Sequence, residues 1–323
     1  MRIAAIALLA VSVIHGTVPA SAQDFPTKPI RVVVPQPPGG GFDLVGRTIA
    51  DKMPEAIGQA IVVENRTGAG TVVGTDLVAK AAPDGYTLVV AGLPNISLNA
   101  GLYPKLPYDP MRDLVPVGLA VAYSYTLVSR KDLPLGSLKD IIEFARQNPE
   151  KLTYASGGNG TGQHLGSAVL THLTGVKMTH VPYKGAQAAY QDILSGRVDL
   201  FFDNASTARQ HVDAGSVKAY AVSSSSRLPM HPNVPTVNET GVTQFDLESW
   251  FGWFAPAKTP APILEKLRAA FAKTMQHPEV VGRFEKSGGR VLRLSTADTE
   301  ALVKRDTEKW IKLIRAANIV VDN

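Results

Sequence analysis

Two glycine-rich segments carry the clearest chemical signal in the sequence. The first covers residues 37–41 (PPGGG) and the second covers residues 156–162 (SGGNGTG). Each follows an apolar run typical of a β-strand and precedes a helical pattern. A helix N-terminus presents unpaired N–H groups and a partial positive charge, and glycine lets the backbone approach an anion closely. These segments, called loop one and loop two below, together predict a clamp for a carboxylate, although each alone could simply be a tight turn.

Single residues beside the two loops could take part in the same chemistry. Asp43 could cap the helix after loop one or contact the ligand, and Phe42 could press on an apolar part of it. His164 falls in the first turn after loop two, where its side chain could reach the ligand or be solvated. Lys184 could add a positive charge or be an ordinary surface lysine. Asp203 ends another strand and could accept a hydrogen bond from a ligand amino group.

Other site chemistries lack their sequence signals. Residues 68–74 (GAGTVVG) miss the dinucleotide-binding glycine spacing by one residue, and no phosphate-loop G-K-[ST] occurs. Histidines 164, 172 and 180 are spaced by eight, which does not stack them on one helical turn as a metal site would require. No serine elbow of the G-x-S-x-G type is present. We therefore expect no cofactor, no metal and no enzymatic activity.

Composition and charge fit an ordinary globular protein. The 323 residues are 45% hydrophobic and 19% charged, which is enough chain for two cores. The net charge of +5 is scattered along the chain, so nucleic acid is not an expected partner. With no cysteine, the chain cannot form disulfides or thiolate metal sites.

The N-terminal residues have the pattern of a secretory signal peptide. Arg2 precedes an apolar run over residues 3–14, and small residues follow up to Ala22. The run is too short for a lasting membrane span, which takes about 20 apolar residues. We expect residues 1–22 to be cleaved after Ala22 and the mature protein to reside in the periplasm.

Strand and helix patterns alternate along the chain, which predicts an α/β fold with mostly parallel sheets. One series has strands near residues 30–34, 61–64 and 86–91, and a second has strands near 152–155, 178–181 and 198–202. An aromatic strand near 247–255 then returns the chain to the first unit. We therefore predict lobe one from residues 23–122 and 228–323, and lobe two from residues 123–227, joined by two crossing strands.

The motifs resemble those of one family over essentially the whole mature chain. They include residues 28–35 (KPIRVVVP), 63–66 (VENR), 83–88 (PDGYTL) and 106–110 (LPYDP). In these the chain resembles the tripartite tricarboxylate transporter receptors, also called Bug receptors. The resemblance implies a type II periplasmic binding protein fold, with a small carboxylate held between two lobes. It also implies delivery to membrane permease subunits, although a sensor receptor could be the partner instead. A monomer suits such a two-lobed clamp.

Carried over by position, the resemblance implies a set of ligand-binding residues in both lobes. They are Pro38, Gly39, Gly40, Gly41, Phe42, Asp43, Leu93, Asn95, Ser156, Gly158, Asn159, Gly160, Thr161, His164, Lys184, Gly185 and Asp203. The chain departs from the family at Phe42, where threonine or serine is common, and at residues 91–94 (AGLP), where the family has a Gly-Thr-Ser-like stretch. Both changes predict a less polar pocket, suited to an aromatic or short-chain monocarboxylate rather than to a citrate-like polyacid.

Overall fold

The computed structural model describes residues 25–317 and residue 319, so the predicted signal peptide lies outside the described residues. The strands are β1 (Ile30–Val34), β2 (Ile61–Asn65), β3 (Thr87–Gly92), β4 (Leu114–Arg130), β5 (Thr153–Ser156), β6 (Thr179–Pro182), β7 (Leu200–Asn204), β8 (Val217–Val222), β9 (Glu248–Pro256) and β10 (Arg290–Val291). The helices are α1 (Gly41–Ala50), α2 (Met53–Ile57), α3 (Val72–Ala79), α4 (Asn99–Leu102), α5 (Pro110–Asp113), α6 (Leu138–Gln147), α7 (Gly162–Thr174), α8 (Ala186–Leu194), α9 (Ala205–Asp213), α10 (Ala261–Thr274), α11 (Pro278–Lys286) and α12 (Thr296–Ala316).

The predicted α/β alternation is confirmed in both halves of the chain. β1 pairs in parallel with β2 and β3, and β5 pairs in parallel with β6 and β7. The side chains of Ile30, Val32, Val33 and Val34 are all fully buried. Burial on both faces is what a continuous apolar strand needs, because helices cover both sides of a parallel sheet.

The longest strand, β4, belongs to two sheets. Its first part pairs with β9, as far as Ser124 opposite Glu248. From Tyr125, which lies opposite Asn204, it pairs with β7 and β8. One sheet therefore has the order β2-β1-β3-β9-β4, and the other has the order β6-β5-β7-β4-β8. The chain crosses from one sheet to the other at Ser124 and Tyr125.

Strand directions determine how the two sheets face each other. β4 is antiparallel to β9, which is antiparallel to β3, so β4 leaves the first sheet at the carboxyl edge of β1 and β3. β4 is also antiparallel to β7, so it enters the second sheet at the carboxyl edge of β5 and β7. Loop one follows β1 and loop two follows β5. Both loops therefore lie at edges that face the crossing, where open α/β sheets bind ligands.

The chain returns to the first sheet through β9, and the segment before β9 contacts the second sheet. The Leu247 N–H donates to the carbonyl of Ser223, whose own N–H donates to the carbonyl of Tyr125. The ring of Phe245 lies 5.7 Å from that of Phe202 in β7, centroid to centroid. The segment before β9 thus packs on the second sheet, rather than leaving it near residue 228. We therefore propose that lobe two comprises residues 125–247 and that the rest of the described chain forms lobe one.

The C-terminal helix α12 is fastened to the returning strand β9. The Trp250 indole N–H donates to Oδ2 of Asp306 at 3.0 Å, and Nζ of Lys309 donates to the carbonyl of Asp246 at 2.6 Å. Trp250 is buried, and its indole packs where β9 meets α12. Among the described residues, no helix combines the length and hydropathy needed to cross a bilayer.

Candidate ligand-binding site

Asp43, for which the sequence left two possible roles, holds loop one in place. Oδ2 of Asp43 accepts a hydrogen bond from the Gly39 N–H at 2.9 Å, which folds the loop back onto the first turn of α1. The Leu44 N–H is bonded to the carbonyl of Gly40. The amides of Gly41 and Phe42 precede it, in the turn that a helix leaves without intrahelical partners. Loop one therefore offers backbone donors at the lobe-one edge.

The carboxylate of Asp43 has two further donors around it. Nε of Arg47 lies 3.0 Å from each of its oxygens, and Nδ2 of Asn65 donates to Oδ1 at 3.0 Å. Burial opposes ionisation, but the hydrogen bonds from Arg47, Gly39 and Asn65 outweigh it and hold the pKa of Asp43 below its ordinary value. Asp43 is thus an ionised, buried anchor for loop one.

Loop two uses several of its own amides to keep its shape. The Gly157 N–H donates to Oε1 of Gln163, and the Gly158 N–H donates to Oγ of Ser156. The Gly160 N–H donates to Nδ1 of His164 at 3.2 Å. These bonds leave the start of α7 as the part of the loop that can donate to a ligand. Its first N–H groups, those of Gly162 and Gln163, belong to the turn without intrahelical partners.

Two histidines that are far apart in sequence stack behind loop two. The rings of His164 and His180 are 4.1 Å apart, with 11° between their planes. Nε2 of His180 lies 2.7 Å from Oγ of Ser156. Burial and the neighbouring His180 lower the pKa of His164 to about 4, and burial also lowers the pKa of His180. Both rings are therefore neutral near pH 7, and His164 is not solvated.

Asp203 lies beneath loop two with its side chain fully buried. Its Oδ1 accepts a hydrogen bond of 2.6 Å from Nε2 of Gln163. The other end of the same amide holds the Gly157 N–H. Asp203 therefore supports loop two from inside in this conformation, and its contact with a ligand amino group stays a prediction.

Phe42 of α1 packs in an aromatic cluster with Tyr123 of β4 and Phe251 of β9. The rings of Phe42 and Phe251 meet edge to face at 5.0 Å, and Tyr123 meets the same Phe251 ring at 5.9 Å. Phe42 is 2% exposed. Its ring is part of the lobe-one core in this conformation, and its contact with a ligand stays a prediction.

The side chains of Leu93 and Asn95 are also enclosed in lobe one. Both are fully buried. The Asn95 amide is used internally, because its Oδ1 accepts from the Gly92 N–H and its Nδ2 donates to Thr75. Both side chains are packed inside lobe one in this conformation. The predicted loss of pocket polarity at residues 91–94 therefore has no support from the side-chain positions.

The remaining predicted residues lie at the two facing edges. The β6–α8 turn joins loop two there, because the Tyr183 N–H donates to the carbonyl of Ser156. Predicted residues that keep exposed or half-buried surface are Pro38, Gly39, Gly40, Gly41, Gly158, Asn159, Gly160, Thr161, Lys184 and Gly185. Those that are buried are Phe42, Asp43, Leu93, Asn95, Ser156, His164 and Asp203. Contact of any of them with a ligand stays a prediction.

Comparison with known proteins identifies the family. Residues 45–319 match the family described as the tripartite tricarboxylate transporter family receptor. The chain belongs to this family. The receptor is similar to BugT of Bordetella pertussis, at 33% identity over 298 residues, which are 92% of this chain and 91% of BugT.

Solved structures confirm the predicted two-lobed periplasmic binding protein fold of the receptor. One is an R. palustris protein with adipate, at 32% identity and a TM-score of 0.79, covering 92% of this chain and 100% of that one. Another is MatC from Rhodopseudomonas palustris with bound malate, at 34% identity and a TM-score of 0.77, covering 90% and 100%. The receptor is thus a solute-binding protein of a periplasmic family, as the resemblance implied.

Sequence reasoning missed the residues that support the receptor's two loops from behind. Arg47 and Asn65 brace Asp43, and Gln163 braces Gly157. The spacing of four between Asp43 and Arg47 on one helix was a usable signal. Asn65 and Gln163 had no comparable signal, because their partners are distant in sequence or set by loop geometry.

Proposed function

We propose that this receptor binds a small carboxylate between its lobes and delivers it to the membrane permease of a tripartite tricarboxylate transporter. The observation that carries the proposal is the placement of loop one and loop two at sheet edges that face one crossing. Each loop opens a helix, so each side of the gap offers backbone N–H donors to an anion. Exposed Lys184 adds a positive charge beside loop two.

The relatives with adipate and malate narrow the class of ligand. Both are dicarboxylates. A ligand with a carboxylate at each end suits two donor loops on opposite lobes better than a monocarboxylate does. Because Phe42 and Leu93 are buried, neither of these two side chains favours the apolar monocarboxylate that the sequence suggested. We therefore place small dicarboxylates first among candidate ligands.

Lobe closure links binding to delivery in this proposal. A ligand that contacts both loops binds the closed form more tightly than the open form, and this difference shifts the population towards closure. Charge-assisted hydrogen bonds to a carboxylate contribute about 1.5–3 kcal/mol each. The permease then recognises the closed form. The receptor itself leaves the ligand chemically unchanged.

Binding is tested on mature protein that has been unfolded and refolded to remove retained ligand. We expect malate or adipate to raise the melting temperature, since a ligand at a hundred times its Kd adds about 2.7 kcal/mol. Citrate, benzoate and amino acids complete the panel. If no carboxylate shifts the melting temperature, the proposal of a carboxylate receptor is wrong.

A matched pair of variants locates the binding. Gly41 is exposed, and an added Cβ there would meet only the Phe251 ring edge at 4.0 Å, so Gly41→Leu should fold. Its side chain would occupy the space in front of the α1 amides and weaken ligand binding at least tenfold. Gly282→Leu, on α11 with nothing within 4 Å, is the control and should bind normally. Equal effects in both variants would place the ligand elsewhere.

Delivery to a permease is tested in cells. Deletion of the gene should abolish uptake of the ligand found in the panel, and export of the receptor should restore it. A strain that loses ligand-dependent gene regulation while keeping uptake would show a sensor role instead. Turnover of the ligand by purified protein would show an enzyme.

A further inference from the structure

The buried carboxyl of Asp203 has an incomplete set of hydrogen-bond partners. Its Oδ1 accepts from Gln163, but among the described residues its Oδ2 has no partner in hydrogen-bonding geometry. The Tyr190 hydroxyl, which interacts with it, is likewise without a hydrogen-bond partner in that part of the chain. A charge with one free oxygen in the protein interior is costly. Protonation of Asp203 would remove that cost.

One side chain connects Asp203 to loop two. The Gln163 amide donates from Nε2 to Asp203 at 2.6 Å and accepts at Oε1 from the Gly157 N–H at 2.9 Å. Gln163 also lies in the first turn of α7, whose N-terminus is the lobe-two half of the proposed ligand site. An anion bound there would sit close to the Asp203 carboxyl. Two negative charges at short range in a buried site disfavour each other.

Titratable groups from every packed element surround this carboxyl. α8 contributes Tyr190, whose ring stacks on His211 of α9 at 3.7 Å, and β4 contributes Tyr125. Burial raises the pKa of Asp203 to about 6, although the interactions with Gln163, the Asn204 amide and the Tyr190 hydroxyl act in the opposite direction. Other titratable groups at this end of the lobe include His164 on α7 and His180 on β6, both with lowered pKa, and exposed Lys184 in the β6–α8 turn.

We propose that Asp203 is a positioning residue for loop two and that its carboxyl takes up a proton from solvent when a carboxylate binds at the start of α7. The inference rests on the proposed function, because it needs an anion at loop two. In the neutral form Asp203 no longer repels the ligand, and its Oδ1 still holds Gln163. Ligand affinity therefore falls as the pH rises through the range in which Asp203 ionises.

Calorimetry on the mature protein tests this with malate, and with adipate if malate does not bind. Titrations at pH 6.5 in two buffers of different ionisation enthalpy give the number of protons taken up. We expect wild type to take up a fraction of a proton more than Asp203→Asn. We also expect the wild-type Kd to rise about tenfold between pH 5.5 and pH 8, corresponding to one unit of pKa change on binding. Asp203→Asn, which keeps an acceptor for Gln163, should lose most of this rise.

Asp213→Asn is the matched control, because it removes the same charge from an exposed position in α9. It should keep the proton uptake and the pH dependence of wild type. If the ligand binds but wild type and Asp203→Asn take up equal numbers of protons, the inference is wrong while the carboxylate proposal stands. If neither malate nor adipate binds, the inference falls, and the carboxylate proposal falls with it only if the rest of the panel is silent as well. Circular dichroism of Asp203→Asn at each pH verifies that it is folded.

Discussion

The carboxylate of Asp43 accepts a hydrogen bond from the backbone N–H of Gly39, four residues earlier, at 2.9 Å. This bond closes loop one on the helix that follows it. Arg47 and Asn65 hold the same carboxylate from the other side. The position of the loop-one amides therefore depends on a side chain that is itself 5% exposed.

Removal of this anchor should loosen loop one and the fold together. We expect Asp43→Ala to lower the free energy of unfolding by about 1–3 kcal/mol, because the Gly39 amide, Arg47 and Asn65 lose a charged acceptor. The contribution of Asp43 to the free energy of unfolding is present above the ordinary pKa of an aspartate. It is lost as the pH falls through the lowered pKa that Asp43 has in the folded state. Urea unfolding measures the change. Asp213→Ala breaks an exposed aspartate–arginine pair of the same spacing and should cost under about 0.5 kcal/mol. Similar losses in the two variants would contradict the anchoring role.

The buried His164 should make stability fall in mild acid. The unfolded chain takes up a proton near pH 6.5, whereas folded His164 stays neutral down to about pH 4. Stability is therefore present above pH 6.5 and is lost as the pH falls towards 4. Between these values we expect wild type to lose about 1–3 kcal/mol more than His164→Gln. The exposed His172→Gln on the same helix is the control. If the stability of wild type and of His164→Gln fell equally with pH across this range, His164 would not cause the pH dependence.

The exposed Lys184 should attract the ligand through its charge. We expect Lys184→Gln to raise the Kd for a bound dicarboxylate about two- to fivefold at low salt and less at high salt, because exposed charges are screened. Lys151→Gln is the matched control, since Lys151 is exposed on the same lobe but precedes β5, at the opposite edge of the sheet. Calorimetry at two ionic strengths gives both values. If Lys151→Gln raised the Kd more than Lys184→Gln did, Lys184 would not belong to the ligand-binding site.

A close approach of three strands at Gly252 should make that position intolerant of any side chain. Gly252 lies between Ala91 of β3 and Leu119 of β4. An added Cβ would collide with the Gly118 carbonyl oxygen and lie 2.8 Å from Cα of Leu119. Backbone cannot move aside cheaply, so Gly252→Ala should cost about 2 kcal/mol or more in urea unfolding. Gly282→Ala, in open space on α11, should be neutral or stabilising. An unchanged midpoint for Gly252→Ala would contradict the packing.

The glycine loops and the order of strands were predictable because their signals are local. A β-branched run, a glycine turn and a helical repeat each span fewer than about fifteen residues, and local patterns of this length can be read directly. The positions of loop one and loop two at carboxyl edges then follow from the parallel pairing of β1 and β5 with their neighbours.

Side-chain direction and long-range contact were not predictable in the same way. Phe42 is the second residue of α1. A small shift in the start of this helix decides whether its side chain faces the ligand gap or the core. The stack of His164 on His180 needs β6 to lie beside β5, which no local spacing encodes. The packing of the segment before β9 on the second sheet depends on the contact between Phe245 and Phe202, which are also distant in sequence.

The insertion of β9 between β3 and β4 has a consequence for the order of folding. β9 follows β4 by the whole length of lobe two, so the first sheet cannot close until the segment after lobe two has been delivered. Lobe two is one continuous stretch and can gather its contacts with shorter loop closures. Until β9 arrives, β3 and β4 expose unpaired edges that other chains could join. The late arrival of β9 therefore completes the first sheet and protects it from aggregation.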